Sequence, residues 1–396
     1  MLSALAREDS SRNHNSLGAV LQKKGDLDGA EIHYRLALSR DPHNVFALNN
    51  CGVVKEFRGF PMEAMAYYQQ AVELKPDYGD ALYNRALINL LLGDYVAGWA
   101  DYDARWFKSA NPVERRSLGL PEWAGISCPN DDIFVYCEQG YGDTFQFIRF
   151  IPEVALRCRT VVVECQHANV SGLISRMEGV AATVSRGEPV PSSCTLSLPL
   201  GSLPGILGIT LGKLPYRQSY LSPLPKKAEF WQQRLQKVAG PKIGLVWAGN
   251  PGHENDRNRS CPLNELANLF ALDGCSFLSL QMGAAAEQLS TSGCFSKVID
   301  MGKEIRDFDD TAAILANLDL LITVDTSVAH LSAAMGRPTW VMIPFAPDWR
   351  WMREREDSPW YPSIRLFRQS APGSWKELIE NVRERLLLYS REVTNQ

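Results

Sequence analysis

Six positions near the start of the chain recur as a set. Gly18, Gly25, Ala30, Tyr34, Ala37 and Pro42 return 34 positions on as Gly52, Gly59, Ala64, Tyr68, Ala71 and Pro76. A looser third copy keeps Leu82, Ala86, Gly93, Gly98 and Tyr102 at the same offsets and puts Arg105 where Ala37 and Ala71 stood. A fixed period of this length means small units stacked on copies of themselves, because one unit cannot bury its own apolar face. The residue types predict two helices per unit. Gly18 and Ala30 allow close approach, Tyr34 fills the gap between units, and Pro42 stops the second helix.

A different pattern governs residues 318–344. The apolar run 318–324 alternates too little for a half-wet strand and is too short for a core helix, so it reads as a fully buried parallel strand. After Asp325, Thr326 or Ser327 supplies a capping hydroxyl, and Val328, Leu331 and Met335 give the next helix one apolar face. Gly336 and Pro338 end that helix, and 339–343 forms a second strand. The helix start opens at the carboxyl end of the sheet, where free backbone N–H groups and roughly half a positive charge suit a phosphate. An ordinary strand-to-helix turn fits the same spacing.

A matching unit occurs earlier, after a proline-rich linker over 111–130. Strand 133–137 leads through Glu138, Gln139, Gly140, Tyr141, Gly142, Asp143 and Thr144 into a helix over 145–156, followed by strand 160–164. The two glycines permit a tight turn and close backbone approach to a ligand. Asp143 is either the helix N-cap or an exposed general base. A helix over 226–238 ends at Gly240-Pro241, which marks a boundary between two lobes. Beyond it, strand 242–247 opens into a polar loop, 248–260, holding Asn250, Arg257 and Arg259. These arginines are either bidentate phosphate donors or surface decoration. A helix over 263–270, strands over 276–281 and 297–300, and a helix over 311–317 lead to the 318–344 unit, and a closing helix over 374–388 is expected to cross back and brace the lobes. Two successive α/β lobes, each with a ligand-suited edge, imply a cleft between them.

Composition limits what such a chain can do. With 396 residues, 45% apolar and 22% charged, it can bury two or three cores. A net charge of −4 leaves no basic footprint for nucleic acid. The start has no basic region followed by an apolar one, and no apolar run approaches the roughly 18 residues of a membrane span, which predicts a cytoplasmic, unanchored protein. Nine scattered cysteines and six dispersed histidines show no metal spacing and fit a reduced compartment.

Over residues 11–112 the repeats resemble the tetratricopeptide repeat, whose concave face commonly binds a peptide or protein. An array this short is as well suited to packing against the next domain. The Asp325-Thr326-Ser327 stretch with His330, and the Gly142-Asp143 loop, resemble the lipopolysaccharide heptosyltransferase family. The whole chain is similar to bacterial tetratricopeptide-repeat glycosyltransferases, through the 138–144 loop, the 247–251 loop with 255–260, and the tryptophan-rich stretch 347–362. The resemblance implies an α plus α/β architecture: a short repeat solenoid over 1–112, then a two-lobe GT-B region of twin Rossmann-like domains, with an acceptor lobe over 113–239 and a nucleotide-sugar lobe over 240–396.

It further implies an inverting, metal-independent glycosyltransferase that needs no cofactor beyond its nucleotide-sugar donor. Asp143 maps onto the catalytic base and Arg259 onto the basic residue that holds the donor phosphates. Asp325, Thr326 and Ser327, with His330 one turn on, map onto the diphosphate motif. Arg257 is expected to assist Arg259, and Gln281 to read the base or ribose unless it is only a turn residue. Gly140, Gly142, Thr144, Asn250 and Arg350 are expected near donor or acceptor. Trp349, Trp351 and Trp360 either stack a sugar or lock their segment onto the core. The acceptor is a protein or glycan chosen in part by the repeats. The competing class is a non-catalytic repeat adaptor with a degenerate sugar-nucleotide domain.

Overall fold

A computed structural model describes residues 9–109, 112–215, 218–291 and 297–394. The chain divides into two compact units, one of Met1–Arg115 with Phe345–Arg353 and one of Arg116–Pro344 with Glu354–Gln396.

Among the described residues of the first unit, six helices form three pairs: α1 (Ser11–Lys24) with α2 (Leu27–Arg40), α3 (Val45–Phe57) with α4 (Pro61–Leu74), and α5 (Gly79–Leu92) with α6 (Tyr95–Tyr102). Their ends follow from capping chemistry. Ser10, Asp26, Asn44 and Asp94 each accept a first-turn N–H, Pro61 opens α4, and Gly25 and Gly93 close α1 and α5 at φ 89°. The repeat positions pack as their types require. A Cβ at Gly18 would stand 2.6 Å from Cε1 of Tyr34, and Gly52 meets Tyr68 in the same way. In the third copy, Arg105 is fully buried in a 3₁₀ turn, paired with Asp103 and lying 4.0 Å over the Trp106 ring. Its stacking replaces the helix packing that Ala37 and Ala71 support.

The 345–353 segment departs from the expected boundaries, because it belongs to the repeat unit and not to the carboxyl lobe. Trp349 sits edge-on to Trp99 at 5.5 Å and to Tyr95 at 6.4 Å, Phe345 covers Gly59, and Arg353 donates to the Gly59 carbonyl. An apolar, tryptophan-rich stretch must find aromatic cover, and the third helix pair supplies it.

The second unit holds two parallel sheets. The first orders its strands β3-β2-β1-β4, from β1 (Cys128–Tyr136), β2 (Cys158–Cys165), β3 (Ala182–Ser185) and β4 (Cys194–Pro199). The second runs β10-β9-β8-β5-β6-β7, from β5 (Lys242–Val246), β6 (Ser276–Ser279), β7 (Val298–Asp300), β8 (Leu320–Val324), β9 (Thr339–Ile343) and β10 (Ile364–Arg368). Both are doubly wound, and the second has the Rossmann strand order. Every residue of β8 and β9 is buried, as their unbroken apolar runs require. The longer helices of this unit are α7 (Tyr141–Phe147), α8 (Ala168–Ser175), α9 (Pro225–Leu235), α10 (Phe308–Ala316), α11 (Ser327–Ala334) and, after the last strand, α12 (Trp375–Thr394).

Three elements differ from the sequence reading. The helix expected over 145–156 starts at Tyr141, breaks at a 3₁₀ turn over Ile148–Phe150, and resumes only as Ile151–Ala155. The helix α9, placed before the lobe boundary, packs against α10, with Lys227 2.7 Å from Asp307 and 2.9 Å from Asp310. The closing helix α12 does not bridge the lobes through its apolar face: Trp375, Leu378, Ile379, Val382 and Leu386 join the core of the second sheet with Ile243, Leu245 and Trp340. An apolar stripe this continuous is satisfied by the nearest sheet face. Among the described residues no helix is long and apolar enough to cross a membrane.

Candidate active site

Open α/β sheets bind ligands beyond the strand ends where the strand order reverses. In the second sheet that point lies between β5 and β8, so the loop leaving β5 and the start of α11 define it. Thr326 is the N-cap of α11, but its side chain makes no cap bond and lies 3.2 Å from the Thr323 hydroxyl. The Ala329 N–H bonds the Thr326 carbonyl at 3.1 Å, and the positive end of the helix at this mouth suits an anion. Arg259 ends a helical turn, Asp256–Arg259, in the loop after β5. Its Nη1 donates to the Asp325 carbonyl at 3.2 Å and its Nε to Asp256 at 3.4 Å, which tethers a guanidinium at the mouth of α11. Gly249 leaves it room, since a Cβ there would lie 2.5 Å from Nη2 and push the guanidinium aside. Ser260 secures the same turn by accepting the Gly249 N–H at 2.9 Å and donating to Asp256 at 2.9 Å. Arg257 and Asn250 are exposed on this loop, Asn250 accepting the Gly252 N–H.

The carboxylate of Asp325 lies 3.8 Å from Nε2 of His330, whose Nδ1 is 2.9 Å from the Tyr361 hydroxyl. His330 is 4% exposed, so its ring is a fixed wall. Gln281 is placed otherwise than a base-reading residue needs. Its oxygen accepts the Trp247 and Ala248 N–H groups and its nitrogen donates to the Ala248 and Met282 carbonyls, so every polar atom clamps the loop after β5.

On the amino side, the loop leaving β1 meets this mouth directly. A Cβ at Gly142 would stand 3.0 Å from Cδ2 of His330 and 3.8 Å from Cα of Ser327. Asp143 is the third residue of α7, not its cap: its Oδ2 accepts the Gly140 N–H at 3.0 Å, the returning half of a capping box. Thr144 is buried and donates to the Gly140 carbonyl at 3.3 Å. Arg350, in contrast, belongs to the repeat unit, where it pairs with Asp348 at 3.0 Å and lies 4.5 Å over the Trp349 ring. The ring of Trp360 stays with the second unit, buried near Phe147 and Phe150.

Sequence reading missed two residues here. Gln166 immediately follows β2, and its position at a strand's carboxyl end was the available signal. Arg149 has none, because beyond the local Gln146 carbonyl its partners are distant in sequence: it is 2% exposed and donates to the Trp360 carbonyl at 2.6 Å and the Tyr220 hydroxyl at 2.9 Å, with the Tyr361 ring 4.5 Å away. Burial raises the Tyr220 hydroxyl pKa, with Arg149 opposing. At the end of β1, burial pushes the Cys137 thiol well up, and it pushes Cys165 up to about 12, so neither is a thiolate nucleophile near neutrality. Among the described residues no three His, Cys, Asp or Glu side chains are grouped to hold a metal.

Helical repeats are followed by two Rossmann-like sheets that meet at their switch points, an arrangement that has the fold of GT-B glycosyltransferases behind a segment of tetratricopeptide type. Residues 11–44 match the tetratricopeptide repeat family. A family 9 glycosyl transferase from Veillonella parvula shares the fold at TM-score 0.50 and 11% identity, over 67% of this chain and 100% of that one. ADP-heptose LPS heptosyltransferase II from E. coli gives TM-score 0.49 and 15% identity, over 66% and 99%. Protein FlbA of Caulobacter vibrioides, whose name states no activity, is 24% identical over 441 residues, 96% of this chain and 73% of the relative.

Proposed function

We propose that the chain is an inverting, metal-independent glycosyltransferase that moves a sugar from a nucleoside-diphosphate sugar to a protein or glycan acceptor, chosen in part by the repeats. The observation that carries this reading is the contact of Gly142 with His330 and Ser327, which brings the Asp143 loop to the helix mouth that Arg259 tethers. In the reaction an acceptor hydroxyl attacks the anomeric carbon as the bond to the diphosphate breaks. Asp143 takes the proton, and although one of its oxygens holds the Gly140 N–H, a carboxylate has about four acceptor positions. The leaving diphosphate gains charge, which Arg259 and the positive N-terminus of α11 stabilise, a well-placed donor contributing on the order of 2–4 kcal/mol in a dry site. Asp325 is directed to His330, away from a role as phosphate ligand, since a carboxylate beside a diphosphate is repulsive.

The test is a melting-temperature screen with ADP, GDP, UDP and their sugars, followed by turnover with the best donor. Asp143→Asn should abolish turnover and keep the donor-induced shift, while Arg259→Ala should lose the shift. Binding without turnover in the unaltered protein would instead make it a sugar-nucleotide-binding adaptor.

A further inference from the structure

Gln166 does not touch the reacting groups, yet it is bound to the loop that carries one of them. Its side chain is 7% exposed, and Nε2 lies 2.8 Å from the Gln139 carbonyl oxygen, 3.3 Å from that of Gly140 and 2.6 Å from Oγ1 of Thr144. Two of these partners can only accept, so the amide must present its NH₂ to them. The Gln139 carbonyl and the Gly140 N–H are the two ends of one planar peptide group. Holding the carbonyl therefore aims the N–H, and that N–H is the donor to Oδ2 of Asp143. A half-turn of this peptide would withdraw the donor and leave the carboxylate facing a carbonyl oxygen.

We propose that Gln166 is a positioning residue: by locking the Gln139–Gly140 peptide from the end of β2, it sets the direction of the Asp143 carboxylate. The inference rests on the reading of Asp143 as the base. It assigns the amino-lobe strand β2 a part in catalysis, while donor binding stays with the carboxyl lobe.

Gln166→Leu keeps the volume and removes both donors. Nucleoside-diphosphate release is measured with whichever ADP-, GDP- or UDP-sugar raises the melting temperature most, alongside amide exchange in peptides covering 138–145. The expected result is a kcat lower by ~10- to 100-fold, the range a small misplacement of a reacting group produces, with the donor KM within about twofold and exchange accelerated in those peptides. Gln166→Glu should be as impaired near neutrality and, with kcat expressed relative to the parent at the same pH so that protonation of Asp143 cancels, recover as pH falls, because a protonated carboxyl can again donate one bond to the Gln139 carbonyl. Should Gln166→Leu fail to fold, this recovery carries the test. Unchanged kcat with unchanged protection overturns the proposal. So does a fall in kcat accompanied by an equal loss of donor affinity, which marks a general loosening. Turnover retained in Asp143→Asn sinks the base assignment instead, whereas the exchange result in Gln166→Leu stands or falls independently.

Discussion

Gly142 has no room for a side chain, because the atom a Cβ would meet, Cδ2 of His330 at 3.0 Å, belongs to a buried ring held by Tyr361. The neighbour cannot swing aside, so Gly142→Ala is expected to destabilise by about 1–3 kcal/mol, as overpacking does. Urea denaturation of variant and parent gives the difference. Glu56 makes a prediction of another kind. Burial raises its carboxyl to about 7 from an ordinary 4.5, with the Asp348 charge adding and the Tyr68 hydroxyl, 3.0 Å away, opposing. A carboxyl whose folded pKa is raised favours folding only while protonated. Its contribution is fully present below about 4.5 and is lost as pH rises through about 7. The melting temperature of the parent relative to Glu56→Gln should therefore fall between pH 4.5 and pH 7.5, and flat difference curves would refute the assignment. Asp143 was legible as a residue at a helix start. That it reaches back to Gly140 from the third position was not, because the sequence does not say where in its first turn a helix begins.

At the scale of elements, the repeat signature was fully legible, since small, aromatic and proline positions at one period each answer a local packing need. The 345–353 segment was not. Its tryptophans called for burial without naming what would bury them, and Tyr95 and Trp99 lie some 250 positions earlier. Trp349→Ala removes an aromatic that is 3% exposed and should cost the repeat unit about 3–5 kcal/mol. Thermal melts followed by helix circular dichroism would report it, and a variant as stable as the parent would show the segment to be a passive passenger. The closing helix teaches a related lesson. Its apolar stripe was visible, but a stripe specifies burial and leaves the choice of partner to the chain's path.

At the scale of the molecule, the second unit should gain stability from any donor that binds only the folded state. At a hundred times its dissociation constant that gain is about 2.7 kcal/mol. With the parent and Arg259→Ala titrated in parallel, the melting shift should be lost in the variant if the guanidinium tethered at Asp325 holds the diphosphate. A repeat fragment ending at Arg115 lacks Phe345–Arg353 and should melt below the same helices in the full chain. The sequence by itself determined the helix pairs, the buried parallel strands and the two strand-to-helix turns, because periodicity and capping are properties of neighbouring residues. Only the tertiary structure decided that β5 pairs with both β6 and β8, that Gly142 rests on His330, that Gln281 is used up in clamping a loop, and that Gln166 governs a peptide across the sheet edge. Each of these depends on where a distant stretch of chain returns, and a polar atom's partner is chosen by that return and not by its neighbours in sequence.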